Sequence, residues 1–188
     1  KKKKKKKKKI FPKKKKNPLL FGLLPTSNPT QKEKGIINLL KAFDKVRSEM
    51  SNQKIRLVIA GDGPLKDELE SRYLDDSSIQ FLGKINFSDI LSLFKRTDIF
   101  VHPSLYPEGL PTAILEAGLM RTAIIATPRG GTEEVIIDKR HGIIVDGSVD
   151  SLKIALMEMV QNEPMRKKSA DNVKKRIESV FSWQSVAK

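Results

Sequence analysis

The sequence predicts an α/β domain, a doubly wound, Rossmann-like parallel sheet of about six strands with helices on both faces. From Asn17 onward, short apolar runs rich in Ile, Leu, Val and Phe alternate with longer amphipathic segments, so strand and helix take turns along the chain. With 188 residues there is enough chain for one substantial core rather than two full domains.

The expected strands are Pro18 to Phe21, Ile55 to Ala60, Ile79 to Leu82, Ile99 to His102, Ala123 to Ala126 and Gly142 to Val145. Between them the spacing predicts helices over Gly35 to Glu49, Leu65 to Leu74, Ser88 to Arg96, Pro111 to Met120 and Thr132 to Ile137. In the first, Ile36, Leu39, Leu40, Phe43 and Val46 recur at helical spacing and form one apolar face. Two further helices, Val149 to Asn162 and Pro164 to Val180, close the domain. Pro164 stands where its missing N–H costs nothing. Right-handed crossovers between parallel strands then place helices on both faces.

The formal charge is +15, but Lys1 to Lys9 and Lys13 to Lys16 hold 13 of the basic residues. Without them 24 basic residues face 22 acidic ones, a net of +2, so the body of the chain is nearly neutral. Residues 1–16 therefore read as a disordered or artefactual poly-Lys segment, with a polybasic membrane or RNA tail as the functional alternative. "IFPKKKK" is no signal peptide, and no apolar run is long enough to span a bilayer. The absence of cysteine excludes a disulfide framework and a zinc-thiolate site and fits a cytoplasmic protein.

In doubly wound sheets the ligand sits outside the carboxyl ends of the strands, so the informative segments are those that leave them. In "YPEGLPTAILEAG", Pro111 suits the first helical position, which makes Leu110 the expected cap residue. Leucine cannot accept from first-turn amides. An uncapped helix start offers several N–H groups and a positive dipole end to an anion, with Thr112 adding a hydroxyl. The dipole contributes only about 0.3 to 1 kcal/mol, up to about 2 when partly buried, so other groups must assist it.

Glu108 precedes that start, and Glu116 lies roughly 7 Å along the helix axis at about 1.5 Å per residue. Carboxylates beside a phosphate repel it, so both should meet neutral hydroxyls on either side, one of a sugar and one of a ribose. The competing reading makes Glu108 an exposed loop residue and Glu116 a solvated helix position. "AGDGPL" follows a strand and precedes a helix, and Gly61 and Gly63 suit either a phosphate cradle or a tight turn. Lys34, at the mouth of the first helix, could reach a phosphate as a point charge or remain a surface lysine. Arg129 in "TPRGGTEE" has similar standing, with Gly130 and Gly131 permitting close backbone approach. His102 and His141 are too few and too separated for a metal centre, and no Asp-x-Asp pair is present.

Together, "KGIINLLKAF", "RLVIAGDGPL", "IQFLGKI", "DIFVHPSLYPEGLPTAILEAGLM", "AIIATPRGGTEEVI" and "GIIVDG" resemble, in order, the donor-binding half of family-four retaining glycosyltransferases of the GT-B fold. The likeness runs from about Pro18 to Trp183, and its most specific part is Glu108 and Glu116 with seven residues between them. The resemblance implies that Glu108 and Lys34 serve the reaction: Glu108 contacts hydroxyls of the donor sugar and Lys34 neutralises the diphosphate. It implies that backbone amides at Gly109 and Leu110 meet the distal phosphate within a donor-binding turn that includes Pro111 and Thr112, that Glu116 holds the ribose, and that Gly83, Lys84 and Ile85 lie near the base. Gly61 and Gly63 would form a turn at the edge of the cleft. The implied substrate is a nucleotide-diphosphate sugar of UDP or GDP type, with no cofactor and no metal, and transfer would retain the anomeric configuration.

Two features depart from that family's pattern. The Gly-Arg pair usual after the first strand is replaced by Gly22, Leu23 and Leu24. The N-terminal acceptor domain of such enzymes has no counterpart before Asn17, and "FSWQSVAK" resembles the start of the segment that crosses back to it. Residues 17–188 are therefore expected to be a donor-binding domain, inactive without its acceptor partner. Peripheral membrane association is possible in a full-length enzyme of this kind, and no specific nucleic-acid partner is expected. A non-catalytic module with a degenerate sugar-nucleotide site, serving partner binding, and a GT-B sugar-nucleotide epimerase are the alternative functions.

Overall fold

The computed structural model describes residues 19–24, 32–106 and 109–181, with backbone alone at 19, 21, 23, 24 and 32–34. The poly-Lys segment, Glu108 and the final Ser182–Lys188 lie outside the described residues. Among the described residues six parallel strands alternate with seven helices in the order β1(Leu19–Leu24), α1(Lys32–Glu49), β2(Arg56–Gly61), α2(Lys66–Arg72), β3(Ile79–Gly83), α3(Phe87–Phe94) and β4(Ile99–His102). Then follow α4(Thr112–Leu119), β5(Ala123–Ala126), α5(Thr132–Val135), β6(Ile143–Ile144), α6(Val149–Gln161) and α7(Glu163–Val180). The strand order is β3-β2-β1-β4-β5-β6, the two mirrored halves of a doubly wound sheet.

Alternate strand residues feed two cores. Leu57 and Ile59 of β2, Ile99 and Val101 of β4 and Ile125 of β5 pack with Ile36, Leu39 and Phe43 of α1 and Leu152 and Leu156 of α6. Val58, Ala60, Phe100 and Ile124 point the other way, onto Phe94 of α3, Ile114 of α4 and Val173 and Ile177 of α7. The period of two in a strand produces this division. Phe94 and Phe100 meet edge to face, with ring centroids 5.0 Å apart at 87°.

Two glycines set how near the helices come. A Cβ at Gly22 would lie 2.9 Å from Leu39 Cδ2, so α1 presses onto the middle of β1. A Cβ at Gly118 would lie 2.3 Å from Ile177 Cδ1, which fixes the approach of α7 to α4.

Several boundaries differ from expectation. Gly22, Leu23 and Leu24 are the end of β1 rather than the start of a loop, because pairing with Ile59, Ala60 and Gly61 continues through the glycine. α3 starts at Phe87 because Asn86 caps it, its side chain accepting from the Asp89 amide at 2.9 Å. Ser88 Oγ donates to the same oxygen at 2.7 Å. Asn86→Ala is expected to lower stability by about 1 kcal/mol, a fall in Tm of roughly 2–4 °C in a domain of this size, read by thermal denaturation.

Candidate functional site

The strand order reverses between β1 and β4, and the segments leaving their carboxyl ends run to opposite faces of the sheet. A crevice opens at such a point. Its two lips touch: a Cβ at Gly35 would lie 2.0 Å from the carbonyl oxygen of Pro103. Only a glycine lets the start of α1 come this close to the β4–α4 loop. Lys34, one residue before, belongs to the first turn of α1. The loop on the other side carries Gly109 to Thr112 into α4.

α4 begins one residue later than the sequence suggested. Pro111, at φ −69° and ψ 113°, is the cap residue itself, and Thr112 is the first helical residue. The extended ψ explains the shift, because Pro111 has left the helical region while its fixed φ still suits a helix entry. Its carbonyl accepts from the Ile114 amide at 3.0 Å. Leu110 is not the cap. It is half-buried and packs against the α3–α4–α7 core. The expected consequence stands, since no side chain caps the helix. Thr112 is exposed at its head, and a Cβ at Gly109 would meet nothing within 4 Å, so this backbone is open to approach.

Glu116 lies one turn further on, half-buried, with no hydrogen-bond or ion-pair partner among the described residues. Burial pushes its carboxyl above the usual range. A carboxylate that gives up water and receives nothing in return is a costly residue. With Glu108 outside the described residues, the site consists of Glu116 and the helix start.

The remaining expected residues are distributed along the sheet edge. Gly61 ends β2 at φ 122°, beside Leu24 of β1, and so lies at the rim of the crevice. Gly63 accepts from the Lys66 amide at 3.0 Å in the turn into α2, the tight-turn reading of that segment. Gly83 has φ 62° and lies against Lys66, on the strand separated from β1 by β2. Lys84 is exposed, whereas Ile85 is half-buried against the core around Phe94. The loop after β5 closes in from the other side, where a Cβ at Gly131 would lie 3.1 Å from Leu110 Cβ. Arg129 is exposed there.

Sequence reasoning missed the supports of this loop. Thr127 donates from Oγ1 to the Ser104 carbonyl, and Asn38 Nδ2 donates to the Gly147 carbonyl at 2.8 Å. The one available signal was a polar residue directly after the apolar run Ala123–Ala126. A separate open groove bordered by Arg140, Asn172, Lys175 and Arg176 lies against α7 and takes in none of the crevice residues. Among the described residues no group of three or more His, Asp or Glu could hold a metal ion. No described helix is long and apolar enough to cross a membrane.

The doubly wound sheet, with a glycine-joined crevice, an uncapped helix start and a half-buried carboxylate, has the architecture of GT-B glycosyltransferases. Over residues 2–176 the chain matches the family Glycosyl transferases group 1, and it belongs to that family. An uncharacterized glycosyltransferase of Methanocaldococcus jannaschii is 32% identical over 161 residues, which cover 84% of this chain and 41% of the relative. The chain thus spans about two fifths of the length of such relatives. Among solved structures, the C-terminal domain of a group 1 family glycosyl transferase from Francisella tularensis superposes with TM-score 0.73 at 24% identity, over 90% of both chains. Anabaena HepE, solved in complex with UDP and glucose, superposes with TM-score 0.72 at 20% identity, covering 91% of this chain and 47% of that one.

Proposed function

We propose that this domain binds a nucleotide-diphosphate sugar, of UDP or GDP type, in the crevice between β1 and β4, as the donor half of a metal-independent, retaining glycosyltransferase. The observation that carries the reading is the contact of the α1 start with the first residue of the β4–α4 loop at the reversal of the strand order, with the half-buried Glu116 on the helix that follows. Amides at the head of α4 and the Lys34 ammonium suit a diphosphate, and Glu116 suits a vicinal diol such as a ribose. Glu108 then faces the sugar as a positioning carboxylate. Stabilisation of the departing diphosphate by Lys34 and the α4 start would be the main protein contribution to the rate. HepE, with UDP and glucose bound, offers a precedent for this ligand class on the same fold.

Leu23 stands where an arginine shares the diphosphate in the family pattern, and it supports a second reading, a sugar-nucleotide site kept for binding alone. Both readings expect saturable binding of UDP-glucose, UDP-N-acetylglucosamine, GDP-mannose or ADP-glucose with EDTA present, measured by calorimetry. No binding by any of them at millimolar concentration overturns the donor site. Transfer or hydrolysis after the domain is joined to an acceptor domain separates the two readings.

A further inference from the structure

We propose that Thr127 is a positioning residue for the donor loop, holding the β4–α4 segment at the height that α1 dictates. This rests on the donor-site reading above. Thr127 follows β5 directly and is fully buried. It grips the chain leaving β4 at two points: its amide donates to the His102 carbonyl at 3.2 Å, and its hydroxyl donates to the Ser104 carbonyl. Ser104 lies just beyond the point where regular pairing of β4 with β5 ends at His102 and Ala126. The side chain therefore continues, by one bond, a ladder that the backbone has abandoned.

The other side of Thr127 is fixed by Gly147. A Cβ there would lie 3.0 Å from Thr127 Cγ2 and 2.5 Å from Leu105 Cδ2. Gly147 has φ +86°, a conformation that glycine adopts freely and other residues do not. Its carbonyl accepts from Asn38, one turn along α1 from Lys34. An unbroken path thus runs from α1 through Asn38, Gly147 and Thr127 to Ser104 and Leu105. It joins the helix that bears the lysine to the loop that bears Gly109 and Leu110. The direct contact of Gly35 with Pro103 sets how closely the two lips approach, and Thr127 sets their relative height along the strands.

A ligand that touches only the Glu116 side should be indifferent to this brace, whereas one that also spans the loop should depend on it. The test uses wild type, Thr127→Val, which keeps the shape and removes the donor, and Thr127→Ser, which restores it. Hydrogen exchange of segment 103–111 is measured without ligand. Affinities are measured for UDP-glucose against UMP, or for GDP-mannose against GMP, whichever pair the wild type binds. In Thr127→Val the segment is expected to exchange faster, sugar-nucleotide affinity to fall about tenfold and monophosphate affinity to stay within about twofold. Thr127→Ser recovers both.

Unchanged exchange in Thr127→Val, or an equal loss for both ligands, overturns the proposal. Should Thr127→Val fail to fold, Gly147→Ala must produce the same faster exchange by pushing Leu105 and Thr127 from the opposite side, and normal exchange there counts against the brace. If the wild type binds none of the four nucleotides, the donor reading has failed, and the exchange data still decide the brace.

Discussion

Glu116→Ala is expected to weaken sugar-nucleotide binding by on the order of 10- to 100-fold, since a hydrogen bond to a charged group contributes about 1.5–3 kcal/mol. The wild-type carboxylate is half-buried on α4 and has no partner among the described residues, so none of them competes for its lone pairs. Burial raises its carboxyl above the ordinary range. Two opposite pH dependences follow. Donor affinity is constant while the carboxylate is ionised and declines as pH falls through the raised value, because the protonated form loses an acceptor. Stability of the ligand-free domain moves the other way. The folded state holds this proton more tightly than the unfolded state, so the contribution is present at low pH and is lost as pH rises through the folded value. Glu116→Gln, which carries no charge to bury, should then melt no lower than wild type at neutral pH while binding donor more weakly. A lower Tm in Glu116→Gln with donor affinity intact would sink this account of the residue.

The second large effect concerns Gly35. In Gly35→Ala the new methyl carbon falls 2.0 Å from the Pro103 carbonyl oxygen and 2.9 Å from its carbon. Both partners are backbone, so no rotamer relieves the overlap and α1 must withdraw from the β4–α4 loop. Overpacking of this kind costs about 1–3 kcal/mol and occasionally more. On the donor-site reading it also moves the α1 start, which bears Lys34, away from the β4–α4 loop, so donor affinity should fall even under conditions where the variant is fully folded. Chemical denaturation and calorimetry on the same sample check the two effects. Native stability together with native affinity would show that the lips of the crevice need not touch.

Much of the scaffold was legible before any coordinates. Ile99–His102 and Ala123–Ala126 were read with the bounds they have, because continuous apolar runs of that length, ended by turn residues, have few other uses. β1 was read too short at its carboxyl end, since Gly22 resembles a break, whereas pairing with β2 and β4 on both sides carries the strand through it. The start of α4 was misplaced by one residue because Pro111 fits both a cap and a first-turn position, and only ψ separates them. Glu116, for which the sequence leaves open a solvated helix position, is half-buried. Asn86 was passed over because Ser88 also resembles a helix start.

The brace could not have been read in advance. Gly35 against Pro103, and Thr127 against Ser104, are contacts between segments that touch only because β1 lies beside β4 and β4 beside β5. Local pattern carries no information about that adjacency. Ile85, expected beside a base, is half-buried against the Phe94 core, and local pattern does not separate the two roles because the same apolar side chain serves a core as readily as a ligand.

The pairing of Leu20 and Phe21 with Ile99 and Phe100 also orders events during synthesis. A nascent chain can join β1 to β2 early, but the crevice has no second wall until β4 has left the ribosome, and its supports arrive later still with Thr127 and Gly147. A ligand of the crevice therefore has no complete site during the early steps of folding. Its stabilising effect should appear almost wholly as slower unfolding, with the refolding rate left nearly unchanged.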